Sequence, residues 1–232
     1  MLSSEREQLS ENKKMKMPEK EVWRIFKIMS EFVEGFEVLS GIQPSVVFFG
    51  SARTNEGSKY YELARETAHE IVKNGFGITT GGGPGIMEAA NRGANEAGGS
   101  SAGINVQLPL ETRSNKFVDK DKIVTLRYFF IRKVLLTKYA QGFVIFPGGF
   151  GTIDELFEVL TLIQTGKTKK FPVVLMGEKY WRDLIKWIKN TALENGYVSE
   201  NDLNLFTITD NPSVAAEKIS SFHKGKEFEP NF

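Results

Sequence analysis

The 232-residue chain contains no cysteine. Disulfides, thiolate metal sites and a cysteine nucleophile are therefore excluded. Histidine is nearly as scarce, with only His69 and His223, and neither stands among acidic residues at a metal-ligand spacing. No apolar run approaches the roughly 18–20 residues that a membrane span needs. The first twenty residues are charged and polar, so no secretory leader is expected. An excess of one charge is missing too: 30 Lys and Arg face 29 Asp and Glu, for a net charge of +1. That balance gives no bulk drive toward nucleic acid or an acidic membrane. A cytoplasmic protein without nucleic-acid or membrane partners is expected. A chain of this length supports one well-packed core rather than two.

What the sequence does have is alternation. Residues 1–20 lack apolar periodicity and are expected to form a flexible arm. Val22, Ile25, Phe26, Met29, Phe32, Val33 and Phe36 then recur at helical spacing, predicting an amphipathic helix that ends near Gly41. From there apolar runs alternate with helical patterns. Strands are expected at 45–49, 77–80, 102–108, 122–128, 142–146, 171–176 and 206–209. Helices are expected at 60–74, 86–97, 130–140, 152–164, 180–194 and 213–222. Strands that are apolar along their whole length predict a parallel sheet covered on both faces. The expected fold is α/β: a single Rossmann-like doubly wound parallel sheet with helices on both faces, formed by residues 21–232. Ligands of such sheets bind beyond the carboxyl ends of the strands, and Gly50, Gly81 and Gly148 all lie there.

Two glycine clusters occupy those ends, GGGPG at 81–85 and PGGFGT at 147–152. Each follows an apolar run and opens a helical pattern, so unpaired backbone N–H groups face whatever binds there. An anion is the natural ligand. Other nucleotide motifs fail on spacing. A dinucleotide fingerprint from Gly81 or Gly149 requires a small residue where Ile86 or Asp154 stands. Gly166-Lys167-Thr168 resembles the end of a P-loop, but the required earlier glycine is Thr161. The candidate substrate or phosphate contacts are Ser51, Gly82, Gly83, Gly85, Glu111, Lys133, Gly148, Gly149, Phe150, Gly151, Thr152 and Asp154. Thr152 has two readings, a helix N-cap or a hydroxyl donated to phosphate. Arg53 reads as a countercharge or as a solvated surface residue.

Acids and bases cluster nearby. Asp154 and Glu155 lie just inside the helix after the second cluster, where the macrodipole alone favours acids. Glu155 is set apart by its place about one turn from the phosphate loop, within reach of the sugar carbon of a bound nucleotide. Glu158, Glu88 and Glu111 are weaker acidic candidates. Arg132 and Lys133 begin a helix, where a positive charge opposes the macrodipole, so a nearby anion is the functional reading of their position.

The segments GGGPGIMEAA at 81–90, Arg132-Lys133 and PGGFGTIDE at 147–155 resemble the LOG family, the cytokinin riboside 5′-monophosphate phosphoribohydrolases. The resemblance runs from about residue 46 to 185 and includes the PGGxGTxxE pattern intact. It implies hydrolysis of the N-glycosidic bond of AMP or an N6-modified AMP, giving free base and ribose 5-phosphate. It places the essential arginine and glutamate on Arg132 and Glu155. It further implies no cofactor or metal, a small-molecule nucleoside monophosphate as partner, and a homodimer or an assembly of dimers. Two positions depart from the shorter plant-type members, which have Met at Phe129 and Gly at Glu88. The competing expectation is a non-catalytic carrier of a phosphorylated cofactor, since molybdenum-cofactor carriers resemble this family. A carrier needs the loops but no acid. A pyridoxal-phosphate decarboxylase is not supported, because neither loop carries a lysine to form a Schiff base.

Overall fold

Every expected apolar run becomes a strand, and the seven strands form one sheet. A computed structural model describes residues 19–42, 44–107 and 114–232. The strands are β1 (Ser45–Phe49), β2 (Gly77–Thr80), β3 (Ser101–Val106), β4 (Ile123–Leu126), β5 (Ala140–Ile145), β6 (Val173–Met176) and β7 (Thr207–Thr209). They lie in the order β4-β3-β2-β1-β5-β6-β7, and every neighbouring pair is parallel. The central strands β1, β2, β5 and β6 are buried throughout, whereas the edge strands β4 and β7 are only partly buried. Burial on two faces explains why these runs show no polar alternation.

The helices are α1 (Glu19–Ser40), α2 (Lys59–Lys73), α3 (Ile86–Glu96), α4 (Phe129–Tyr139), α5 (Phe150–Gln164), α6 (Glu178–Trp187) and α7 (Pro212–His223). Successive side chains of a strand point to opposite faces, and β1 illustrates the division. Val47 and Phe49 pack with Leu39 of α1, Ile131 and Leu135 of α4, Leu156 and Val159 of α5 and Trp181 of α6. Val46 and Phe48 pack with Ala64 and Ala68 of α2, Ala89 and Ala90 of α3 and Ile219 of α7. Alanines let α2 and α3 lie close against their face. Larger side chains fill the face that carries α1, α4 and α5.

Three differences from the sequence expectation have local causes. Helix α5 opens at Phe150 rather than at residue 152, with Gly149 as its N-cap. The helix expected over 180–194 passes after Trp187 into a π-helical turn, Ile188–Leu193, which keeps both Ile188 and Ala192 buried. A 3-10 turn at Glu200–Asn204 lies where the sequence pattern predicts no element; a reciprocal Ser199–Asp202 capping box starts it. The flexible arm lies outside the described residues apart from its last two, Glu19 and Lys20, which already belong to α1. The end of the strand expected over 102–108 also lies outside them.

Candidate active site

In the sheet order, the chain runs from β1 outward to β4 on one side and from β5 outward to β7 on the other. The loops after β1 and β5 therefore diverge above neighbouring strands, the position where doubly wound sheets bind ligands. Backbone bonds fasten the loops there. Ser51 N donates to Pro147 O at 3.0 Å, and Ile86 N, at the start of α3, donates to Ser51 O at 3.1 Å. Ser51 thus joins the loops after β1, β2 and β5. Two glycines make that junction possible. A Cβ on Gly85, whose φ is +69°, would stand 2.3 Å from Ser51 O. One on Gly148 would stand 2.1 Å from Thr152 Oγ1 and 3.0 Å from Ser51 N.

The loop after β5 is open toward solvent. A Cβ on Gly149 or Gly151 would meet nothing within 4 Å, so neighbouring atoms do not explain these glycines. The N–H groups of Gly148, Gly149, Phe150 and Gly151 have no acceptor among the described residues. They stand at the positive end of α5, an arrangement suited to an anion. Thr152 is the third residue of α5, so its N-cap reading falls away; its side chain is buried beside Gly148. Phe150 is 95% exposed. Tyr180 of α6 donates its Oη to Gly148 O at 2.5 Å and so braces the loop. Sequence reasoning missed Tyr180, although it follows β6 at the same sheet edge. The edge rule applied to that strand is the signal that finds it.

The first glycine cluster is used differently. Gly82 N donates to Thr80 Oγ1 at 2.9 Å, and Gly82 O accepts from Asn115 N at 2.8 Å. Asn115 Nδ2 also donates to Gly83 O at 3.0 Å and to Asn91 Oδ1 at 3.0 Å. Gly82 and Gly83 are thus fixed by an asparagine network that no sequence motif announces. A Cβ on neighbouring Gly81 would lie 2.9 Å from Met87 Sδ and 3.5 Å from Arg132 Nη1, so Arg132 reaches this loop from α4.

Arg132 spans from that loop to Glu155 on α5. Its Nη2 lies 3.7 Å from Glu155 Oε1, beyond hydrogen-bond distance, and its guanidinium sits 4.3 Å from the centre of the Phe129 ring. Glu155 is 3% exposed, and its Oε1 has no hydrogen-bond partner among the described residues. Burial pushes its pKa up to about 7; Arg132 and Lys133 pull it down, while Glu158 and Asp154 push it up. A carboxyl titrating near neutrality in a ligand cleft is suited to acid–base chemistry.

Lys133 and Asp154, both candidates for phosphate contact, are bonded to each other. Lys133 Nζ lies 2.7 Å from Asp154 Oδ2 and also bonds Glu158, tying α4 to α5. This pairing accounts for a basic residue in the first turns of α4 without an external anion. A cavity of about 730 Å³ adjoins Arg132, lined by Gly81, Gly83, Met87, Asn105 and Gln107 among others. Glu111 lies outside the described residues. Glu88 receives the Tyr61 hydroxyl at 3.5 Å. Among the described residues, no group of three or more His, Asp or Glu side chains is placed to hold a metal.

A family model described as possible lysine decarboxylase matches residues 87–219. The chain is 28% identical over 187 residues to cytokinin riboside 5′-monophosphate phosphoribohydrolase LOG2 of Arabidopsis thaliana, covering 80% of this chain and 86% of that protein. It is equally identical over 156 residues, 67% of this chain and 78% of the other, to a cytokinin riboside 5′-monophosphate phosphoribohydrolase of Rhodococcoides fascians. Among solved structures, the molybdenum cofactor binding protein of Rippkaea orientalis matches with a TM-score of 0.52 at 17% identity, over 77% of this chain and 94% of that one. The molybdenum cofactor carrier protein of Chlamydomonas reinhardtii matches with a TM-score of 0.51 at 22% identity, over 78% and 97%. At such identities the two structural likenesses concern the fold.

Proposed function

This chain belongs to the LOG family, whose model is described as possible lysine decarboxylase, and from that premise we propose that it hydrolyses the N-glycosidic bond of a purine nucleoside 5′-monophosphate. The substrate is AMP or an N6-modified AMP, and the products are the free base and ribose 5-phosphate. The observation that carries the reading for this chain's own residues is the pairing of a buried acid with an anion cradle on one helix. Glu155 lies beyond Phe150 by a rise of about 7.5 Å along α5. That rise suits a 5′-phosphate on the cradle with the anomeric carbon near the carboxyl group.

Breaking the bond sends its electron pair to the purine, which takes up a proton from solvent, and leaves positive charge on the ribosyl carbon. Ionised Glu155 stabilises that charge and accepts a proton from the water that adds to the carbon. Arg132 stays protonated throughout, as an arginine guanidinium does in proteins. Its role is to fix Glu155 and the bound nucleotide. The N–H groups of 148–151 hold the phosphate, so that binding energy far from the reacting bond positions the sugar.

The test is direct. Incubation with AMP is expected to yield adenine and ribose 5-phosphate in equal amounts. Tight nucleotide binding without product favours a carrier and overturns the hydrolase reading. We also propose a homodimer joined through the outer face of α1. Trp23, Phe26, Met29 and Val33 recur there at helical spacing and are each more than half exposed, an apolar stripe uncommon on a monomer.

A further inference from the structure

The inner face of α1 carries a second consequence. Glu31 is a buried carboxylate whose partners lie almost a hundred residues away in sequence. Arg127 N donates to both its oxygens, at 3.1 and 3.0 Å, and Tyr128 N donates to Oε2 at 3.4 Å. Arg127 and Tyr128 form the whole link between β4 and α4. The N-cap residue of α4, Tyr128, supplies no side-chain cap of its own. Carboxylate from another helix therefore satisfies the backbone leading into α4, where negative charge is favoured.

One turn further along α1, the helices touch closely. A Cβ on Gly35 would stand 2.3 Å from Leu135 Cδ1 of α4. Glycine inside a helix costs about 1 kcal/mol relative to alanine, and here it lets α1 approach near enough for Glu31 to reach the link. Phe36 continues the contact against Tyr139, with ring centres 6.2 Å apart. Contacts thus follow α4 along its length, and the carboxylate–backbone one lies at the end that carries Arg132.

We propose that Glu31 is a positioning residue for Arg132: by holding the β4–α4 link it sets where the first turns of α4 stand against Glu155. The proposal rests on the hydrolase reading for its catalytic consequence, but not for its structural one. The Arg132–Glu155 separation of 3.7 Å lies at the outer edge of ion pairing, so a small displacement of α4 weakens the pair. Arg132 and Lys133 from α4, and Asp154 and Glu158 from α5, are the charged groups that set the titration of Glu155.

The experiment uses the full chain and the variants Glu31→Gln and Glu34→Gln, the second at an exposed position of α1. Glutamine keeps the volume of Glu31 but offers one acceptor oxygen in place of two. Carbon-13 titration of the Glu155 carboxyl, assigned by its loss in Glu155→Gln, is the decisive readout. Glu31→Gln is expected to move the midpoint upward from its wild-type value of about 7, because Arg132 holds it down less well. Removing a nearby negative charge has the opposite direct effect, so an upward shift reports displaced Arg132. With AMP, kcat is expected to fall about tenfold with KM changed less than about twofold. Glu34→Gln is expected to match wild type in both. A Glu155 midpoint that stays at its wild-type value in Glu31→Gln overturns the proposal, even where the melting temperature drops. If wild type leaves AMP intact, the hydrolase reading fails, and the titration still decides the role of Glu31.

Discussion

Replacing Glu155 with glutamine is expected to inactivate the protein and to stabilise it, and the two effects have one cause. The carboxyl is raised from an ordinary 4.5 to about 7, with burial as the largest contributor. A raised value means that the folded state holds the proton more tightly than the unfolded one. Stability from this group is therefore fully present below pH 4.5 and is lost as pH rises through about 7. A shift of that size corresponds to about 3 kcal/mol. Glutamine has the same shape and cannot ionise, so the variant escapes the loss. Urea unfolding is expected to give nearly equal stabilities at pH 4. At pH 8.5 the variant is expected to lead by up to about 3 kcal/mol, or roughly 6–12 °C in melting temperature for a chain of this size. Turnover of AMP is expected to fall at least about a hundredfold, in the range of a lost acid–base group. A variant no more stable than wild type at pH 8.5 refutes the burial argument. One that is stabilised but still turns over AMP normally refutes the catalytic assignment.

The remaining predictions probe other parts of the site. The kcat/KM for AMP is expected to rise with pH and level off above about pH 7, as Glu155 ionises; a flat profile from pH 5.5 to 8.5 contradicts its role. Gly149→Ala meets no neighbouring atom, so its melting temperature should stay within about 1 °C of wild type, since no native contact changes. Combined with Thr152→Val it should raise KM for AMP about tenfold or more, the scale of lost charge-assisted bonds to phosphate, and hardly affect adenosine binding. An unchanged KM removes the loop from phosphate binding. Trp23→Ser with Phe26→Ser should convert a dimer into monomers by sedimentation at micromolar concentration, and a sedimentation profile identical to wild type rules out that face.

Much of this arrangement is legible in sequence because periodicity and glycine spacing are local signals. The run at 45–49 reads as a buried strand, and the structure pairs it on both sides. PGGFGT reads as a helix-opening loop, and the N–H groups of residues 148–151 have no acceptor among the described residues. Three features are less legible. The sequence pattern puts the start of α5 two residues late because Gly149, with no side chain to mark it, serves as N-cap; sequence rules look for a hydroxyl, and Thr152 offers one. The asparagine network under Gly82 and Gly83 joins residues 91, 101 and 115 through tertiary contacts alone. Nothing in the sequence sets Glu31 apart from the other acids of α1. Only the approach of α1 to α4, made close by Gly35, turns it into a buried cap.

The two basic residues that open α4 are adjacent in sequence and serve opposite purposes, and distance separates them. Lys133 makes short bonds to Asp154 and Glu158 at the more exposed flank of α5, so those charges are mutually satisfied and the two helices are tied. Arg132 faces Glu155 across 3.7 Å in a buried setting, without the hydrogen bond that would saturate the acid. A closed bidentate pair would pull the carboxyl well below its ordinary value and occupy the lone pairs that the proposed chemistry uses. The open pair leaves burial dominant, which keeps Glu155 titrating near neutrality and its Oε1 available. Substituting Arg132 by lysine removes the planar contact with Phe129 and allows the charge to settle elsewhere. The expected result is a lower kcat with the Lys133 tie, and hence the fold, intact. Equal kcat in Arg132→Lys would mean that charge alone, without the geometry of the guanidinium, suffices at this position.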